Sequence, residues 1–157
     1  MRNEDILRKE TDFYDAPYRN LPMVKLEPER QTWVWWENYL GPIEQATVLC
    51  CGMGKGHHAI QFALAGASRV IGVDISSESC RHLKEMANVN GVDNQAIAVR
   101  ADLAKIGRFL APNSVNMVWG QAVLHHIVDI RSFGLGLKHV LKDGGCALFR
   151  ENWGERR

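Results

Sequence analysis

No apolar run in this chain approaches the roughly 20 residues that a membrane-spanning helix requires. The N-terminal MRNEDILRKE is charged where a secretory leader would carry an apolar core, so no membrane partner is expected. Charge of one sign is also missing. Nineteen Lys and Arg face eighteen Asp and Glu, for a net charge of +1. Such a balance gives no field to recruit a polyanion, and no nucleic-acid partner is expected. The four cysteines, Cys50, Cys51, Cys80 and Cys146, form no C-x-x-C pair, which removes a thioredoxin-like or zinc-ribbon reading. Cysteines inside apolar runs act as small hydrophobes, and a reducing cytoplasm is the simpler setting. The six histidines show no ligand spacing, so no metal is expected. Repeats and low-complexity tracts are absent.

What is present suits one domain. The 157 residues are 46% hydrophobic and 24% charged, the balance of an ordinary globule. Residues 1–27 are polar and aromatic, broken by Pro17 and Pro22, and read as an irregular arm with one helical turn at most. Pro28 opens a helix, PERQTWVWWENYL, with Trp33, Trp36 and Leu40 on one face, and Gly41-Pro42 closes it. Residues 1–42 form this arm, a candidate lid, and residues 43–157 form the main domain. From Thr47 onward short apolar runs alternate with helical patterns. The runs begin at Val48, Val70, Ala96, Val115 and Cys146. Between them Ala59, Phe62 and Ala63 share a face. So do Cys80, Leu83 and Ala87, after a Ser76 cap, and Ile130, Phe133, Leu137 and Val140. Alternation of this kind predicts an α/β fold with a doubly wound, mainly parallel sheet in the order 3-2-1-4-5, flanked by helices.

The segment with most chemistry is VLCCGMGKGHHAIQFALAGASRVIGVDIS. An apolar strand enters Gly52-Met53-Gly54-Lys55-Gly56, and a helix follows. Glycines let backbone turn tightly and approach a ligand, and a helix start offers N–H groups to an anion. The next strand ends at Asp74, where a carboxylate can accept hydrogen bonds from both hydroxyls of a ribose. Dinucleotide binders carry G-x-G-x-x-G. Here the spacing is G-x-G-x-G, with His57 at the place of the last glycine, which disfavours a nicotinamide-dependent oxidoreductase.

These residues resemble the class I S-adenosylmethionine-dependent methyltransferases, which have a Rossmann-like fold. The resemblance covers about residues 46–151 and rests on VLCCGMGKG, VIGVDIS, RADL and VNMVWGQAVLHHI, with LKDGGCALFREN in support. It implies that S-adenosylmethionine is the cofactor, with Gly52, Met53, Gly54 and Gly56 around its methionine part. Asp74 would hold the ribose diol and Ile75 would pack on adenine. Asp102 would receive the exocyclic amine, with Leu103 along the ring. Gly120 and Gln121 would line the methionine and the acceptor. Two departures stand out. Many family members have an acid where this chain has Cys50. The family also adds two strands beyond the fifth, an antiparallel pair, whereas this sequence stops at Arg157. An apolar fifth strand at an open edge is a pairing liability, so a second copy or another partner is expected to cover it. A fragment of a longer enzyme is the equal alternative.

Methyl transfer from a sulfonium needs alignment above all, and a base only when the acceptor must lose a proton. His125 and His126, after the fourth strand, are the candidates for a base or an acceptor contact. Glu151 points toward the same rim and reads as an ordinary solvated carboxylate. Of His57 and His58, one is expected to be exposed and one packed, and Lys55 solvated. Phe13, Tyr14, Tyr18, Trp35 and Tyr39 could lid a cation or an apolar acceptor, but packing of most of them onto the sheet is the favoured expectation. The terminal Glu155-Arg156-Arg157 reads as solvated. The resulting expectation is methyl transfer to a small-molecule acceptor. A non-catalytic cofactor-binding subunit, or a truncated fragment, is the alternative.

Overall fold

A computed structural model describes residues 3–151, with side chains described from residue 8 onward except those at 10, 12 and 14. The Tyr14 side chain and the terminal Glu155-Arg156-Arg157 therefore lie outside the described residues. Five strands form one sheet in the order β3-β2-β1-β4-β5, with every neighbouring pair parallel. They are β1 (Thr47–Cys51), β2 (Arg69–Asp74), β3 (Ala96–Arg100), β4 (Val115–Gln121) and β5 (Leu141–Arg150). The central strands are buried on both faces, as uninterrupted runs such as Val48–Cys51 require. Helices α2 (Arg30–Leu40), α3 (His57–Leu64) and α4 (Ser77–Val89) cover one face. Helices α5 (Ile106–Phe109) and α6 (Ile130–Val140) cover the other.

Alternation along β1 divides the core. Val48 and Cys50 join Trp36, Phe62 and Leu83 on one face, while Leu49 and Cys51 join Ile106, Val118 and Phe133 on the other. The expected face of α3 holds, with Ala59, Phe62 and Ala63 buried; on α4 Leu83 and Ala87 are buried but Cys80 is only half-buried, and the Ser76 hydroxyl accepts the Ser79 N–H as a cap. On α6 the face is Phe133, Gly136 and Val140, and Ile130 departs from it at 53% exposed. It is the first residue of the helix, just after the Asp129 cap.

The irregular arm expected over residues 1–27 is instead opened by a 16-residue helix, α1 (Asn3–Tyr18), with Pro17 in its last turn. Tertiary bonds secure it. The Asp15 carboxylate accepts from the hydroxyls of Ser76 (2.6 Å) and Ser77 (3.2 Å) and from the Glu78 N–H (3.3 Å), at the start of α4. The Arg81 guanidinium donates to the Arg19 carbonyl at 3.1 Å. Further along, Asn90 exchanges bonds with the backbone of Val24 and Leu26. Fully buried Gln61 ties down the next stretch. Its carbonyl oxygen accepts from the Glu29 N–H and the Trp33 indole N–H, and its NH2 donates to the Glu27 carbonyl. A buried amide with all these bonds costs little, whereas an unpaired one costs about 1–3 kcal/mol.

Strand β5 is longer than the apolar run Cys146–Phe149 because it starts at Leu141 and passes an irregularity between its pairs with Val115 and Met117, where Gly144 has φ +75°. Its outer edge pairs with no strand among the described residues, and Cys146 and Ala147 are exposed.

Candidate active site

The carboxyl ends of β1, β2 and β4 open into a cleft of about 530 Å³, within the usual range for a ligand of cofactor size. At the end of β1, Gly52, Gly54 and Gly56 have φ of +59°, +51° and +73°. Three alternate left-handed residues explain the G-x-G-x-G spacing, because left-handed backbone strains any residue with a Cβ. Gly52 and Gly54 line the cleft, and a Cβ on Gly52 would run into Val123. Gly56 lies beneath α4 against Leu83 and turns the chain into α3 without itself facing the cleft. His82, buried on α4, bonds the Lys55 carbonyl through Nδ1 at 3.0 Å and so fixes the loop from behind.

Asp74 closes the far side of this loop. Its carboxylate accepts the Gly54 N–H at 3.0 Å through one oxygen and the Ser76 N–H at 3.0 Å through the other. Burial pushes its pKa up, against those bonds, which favour the charged form. Each oxygen keeps a lone pair beyond its backbone bond. Ile75 follows it in the cleft wall, and Asp102 and Leu103 stand across from it at the end of β3. One Asp102 oxygen caps the next turn by accepting the Ala104 N–H at 2.9 Å. Met53, Tyr18 and Gln121 complete this part of the lining. Gly120 departs from the expectation. It is buried, Phe149 and Val123 occupy the space a Cβ on it would need, and it is not part of the lining.

At the end of the cleft where the resemblance leads one to expect an acid, Cys50 is a buried thiol whose pKa burial pushes well up, so it carries no charge. Beside it His58 is boxed by Trp36 and Trp119. Its Nδ1 accepts the Trp119 indole N–H at 3.1 Å, which puts the imidazole proton on Nε2. Burial lowers its pKa to about 4, so the ring is neutral. His57 turns away to Glu29 at 2.6 Å. Lys55 is exposed, as expected.

The turn after β4 carries His125 and His126, both on the cleft wall. Here Glu151 overturns its solvated reading. One oxygen accepts the N–H groups of Val123 (2.8 Å) and Leu124 (2.9 Å), and the other meets His125 Nδ1 at 2.8 Å. Its side chain is only 12% exposed, and these bonds hold its pKa down in spite of burial. The aromatic expectation holds only for Trp35, which meets Trp119 of β4 edge-on. Phe13 and Tyr39 are 70% and 60% exposed and Trp35 is 39% exposed, while Tyr18 enters the cleft with its hydroxyl over Gly54. The buried aromatics that hold the arm down are Trp36 and, in part, Trp33. No cluster of three or more His, Cys, Asp or Glu among the described residues is placed to hold a metal.

The methyltransferase domain family matches residues 49–149, and the chain belongs to it. A tRNA U34 carboxymethyltransferase of Shewanella frigidimarina is 25% identical over 136 residues, which cover 82% of this chain and 40% of that protein. The chain thus spans less than half the length of the curated relatives it matches. A candidate S-adenosylmethionine-dependent methyltransferase of Listeria monocytogenes shares 27% identity and a TM-score of 0.61, over 74% of this chain and 52% of that one. The phosphoethanolamine N-methyltransferase of Haemonchus contortus, solved with phosphoethanolamine and S-adenosylhomocysteine, shares the fold. Its TM-score is 0.76 at 17% identity, over 99% of this chain and 34% of that one. The cofactor of this family is S-adenosylmethionine, and the residues present fit it. The loop keeps the cleft clear of any Cβ at Gly52 and Gly54, Asp74 has lone pairs to spare, and the walls beside Ile75 and Leu103 are apolar. The mismatches are the uncharged Cys50 and the covered Gly120.

Proposed function

We propose that this domain transfers the methyl group of S-adenosylmethionine to a small-molecule acceptor by in-line displacement. The observation that carries this reading is the Asp74–Gly54 bond, which joins a left-handed glycine loop to a carboxylate at the mouth of one cleft. When bound, the cofactor supplies an electrophilic methyl on a sulfonium. The residues supply the rest. Asp74 accepts the ribose hydroxyls, Ile75 and Leu103 enclose the adenine, and Asp102 takes its amine. Gly52, Met53 and Gly54 shape the methionine end, with Gly56 setting the turn into α3. Gln121, His125 and His126 border the place left for an acceptor. Holding two reactants in line can supply roughly 7–11 kcal/mol of barrier lowering, so positioning alone accounts for most of the work.

The volume of the cleft, about 530 Å³, and the near-neutral charge support a small acceptor. The arm of residues 1–42 acts in this reading as a lid, because Tyr18 reaches over Gly54 while Asp15 fastens α1 to α4. The free cysteines support a reducing, cytoplasmic setting. No helix among the described residues is long and apolar enough to cross a membrane. A second copy covers the β5 edge, where Cys146 and Ala147 are exposed. A monomeric mass in solution would remove that last element. A second reading, a cofactor-binding subunit without turnover, is favoured by Cys50 in place of an acid.

The experiment is calorimetry with S-adenosylmethionine and with NAD, followed by transfer of labelled methyl to a small-molecule extract and to total RNA. Binding of S-adenosylmethionine alone with label in the extract supports the proposal. Label in RNA would move the acceptor to nucleic acid, as the names of the curated relatives suggest for those proteins. Binding without any transfer would favour the second reading.

A further inference from the structure

The turn that follows β4 is held by the end of β5. Ala122 sits in the left-handed region at φ +51°, and its N–H donates to the Arg150 carbonyl at 2.9 Å. Backbone of that kind is strained for alanine and persists only where its surroundings enforce it. The next residue of the β5 end, Glu151, then fills the concave side of the turn. Its Oε1 takes the two successive N–H groups of Val123 and Leu124, and its Oε2 faces His125 Nδ1. Glu151 is ionised, since those bonds hold its pKa down. An ionised carboxylate only accepts, so Nδ1 must carry the proton. In the neutral ring the lone pair is then on Nε2. His58, on the same cleft, has the opposite tautomer, with its lone pair spent on the Trp119 indole.

We propose that Glu151 is a positioning residue that makes His125 the general base of this site, and that the acceptor is therefore protic, carrying its reacting atom as a hydroxyl or another X–H group. The inference rests on the methyltransferase reading. As the acceptor atom bonds to the methyl carbon, the methyl–sulfur bond breaks with its pair going to sulfur, and the acceptor's proton passes to His125 Nε2. The imidazolium so formed is stabilised by the Glu151 carboxylate 2.8 Å from Nδ1, and it returns its proton to water after product leaves. Glu151 thus fixes the tautomer of His125. An acceptor with no proton to lose, such as a thioether, would gain nothing from this arrangement.

Glu151→Gln separates orientation from bulk. The new amide oxygen stays with the two backbone N–H groups, so its NH2 turns to His125 and donates to Nδ1. The imidazole proton moves to Nε2 and the base is lost with the turn intact. Nitrogen-15 NMR of histidine-labelled protein reads the tautomer directly. His125 is expected as Nδ1–H in the natural chain and as Nε2–H in E151Q. With labelled S-adenosylmethionine and a small-molecule extract, E151Q and His125→Asn are each expected to lose about 10²-fold in transfer rate, and the double variant little more. Affinity for S-adenosylhomocysteine should be unchanged in all three. Finding Nε2–H in the natural chain overturns the proposal, whatever E151Q does. An inverted tautomer with an undiminished rate overturns the base. Failure of the natural chain to bind S-adenosylmethionine would sink the methyltransferase reading instead, and the tautomer would still decide what Glu151 does.

Discussion

Replacing Gly52 by alanine tests the glycine loop where it touches the acceptor side. Gly52 has φ +59°, and a Cβ there would overlap the Val123 side chain. Two costs arise. Left-handed backbone costs a residue with a Cβ about 1–2 kcal/mol. Overpacking against a fixed neighbour costs about 1–3 kcal/mol more, and Val123 is fixed because its N–H is bonded to Glu151. Together they give about 2–5 kcal/mol, or a fall in Tm of about 4–20 °C for a chain of this size. Gly91 provides the control. Its φ is +68°, but nothing lies within 4 Å of the position its Cβ would take. Gly91→Ala should therefore show the backbone cost alone, about 1–2 kcal/mol. Calorimetric or circular-dichroism melting of the two variants beside the natural chain separates the terms. If Gly52→Ala is no less stable than Gly91→Ala, the contact between loop and Val123 is not what the structure makes of it, and the coupling of cofactor loop to acceptor turn fails with it.

Other outcomes follow from the same geometry. Asp74→Asn turns an NH2 toward one of the two N–H groups that the carboxylate accepts, and should weaken S-adenosylhomocysteine binding by about tenfold or more, since bonds to a charged group are worth about 1.5–3 kcal/mol; calorimetric titration reads this. Gln61→Ala strands the Glu29 N–H, the Trp33 indole N–H and the Glu27 carbonyl, and should cost about 2–4 kcal/mol in a urea melt, with proteolysis opening the arm first. Burial holds His58 at about 4 against 6.5 for an ordinary histidine. Between those values the unfolded chain binds a proton that the folded chain does not, so stability is full above pH 6.5 and falls as pH drops toward 4, by about 3 kcal/mol in all. His58→Asn, whose amide oxygen can still accept from Trp119, should flatten that window in pH-dependent denaturation. An unchanged slope would mean that the ring is not held neutral.

The sheet and its order were legible because β1 and β2 are nearly continuous apolar runs and β4 is one apart from Asn116, a texture that strands covered on both faces require. The glycine spacing and Asp74 were legible for the same reason, since each sits at the tip of such a run. Helix α1 was not. Its stretch is polar and carries Pro17, and what secures it is Asp15 on the start of α4, a contact made 61 residues away. Glu151 was misread because a lone carboxylate after a strand looks solvated. Its partners are backbone N–H groups of Val123 and Leu124, which no side-chain pattern reveals. Gln61 did leave a signal, as the one amide within the apolar helix HHAIQFAL. Gly120 was assigned to the lining by the resemblance, at the end of β4, but Phe149 and Val123 cover it. Most of the arm aromatics were expected to pack, but Phe13 and Tyr39 stay exposed and the deepest burial went to Trp36, the α2 residue that faces Phe62 and Trp119.

The most direct test is a calorimetric titration of the natural chain with S-adenosylmethionine. A saturable heat with one site per chain, lost or greatly weakened in Asp74→Asn, is what a cleft built from the Gly52–Gly56 loop and Asp74 should give. No heat at millimolar sulfonium, or equal binding by Asp74→Asn, would contradict it.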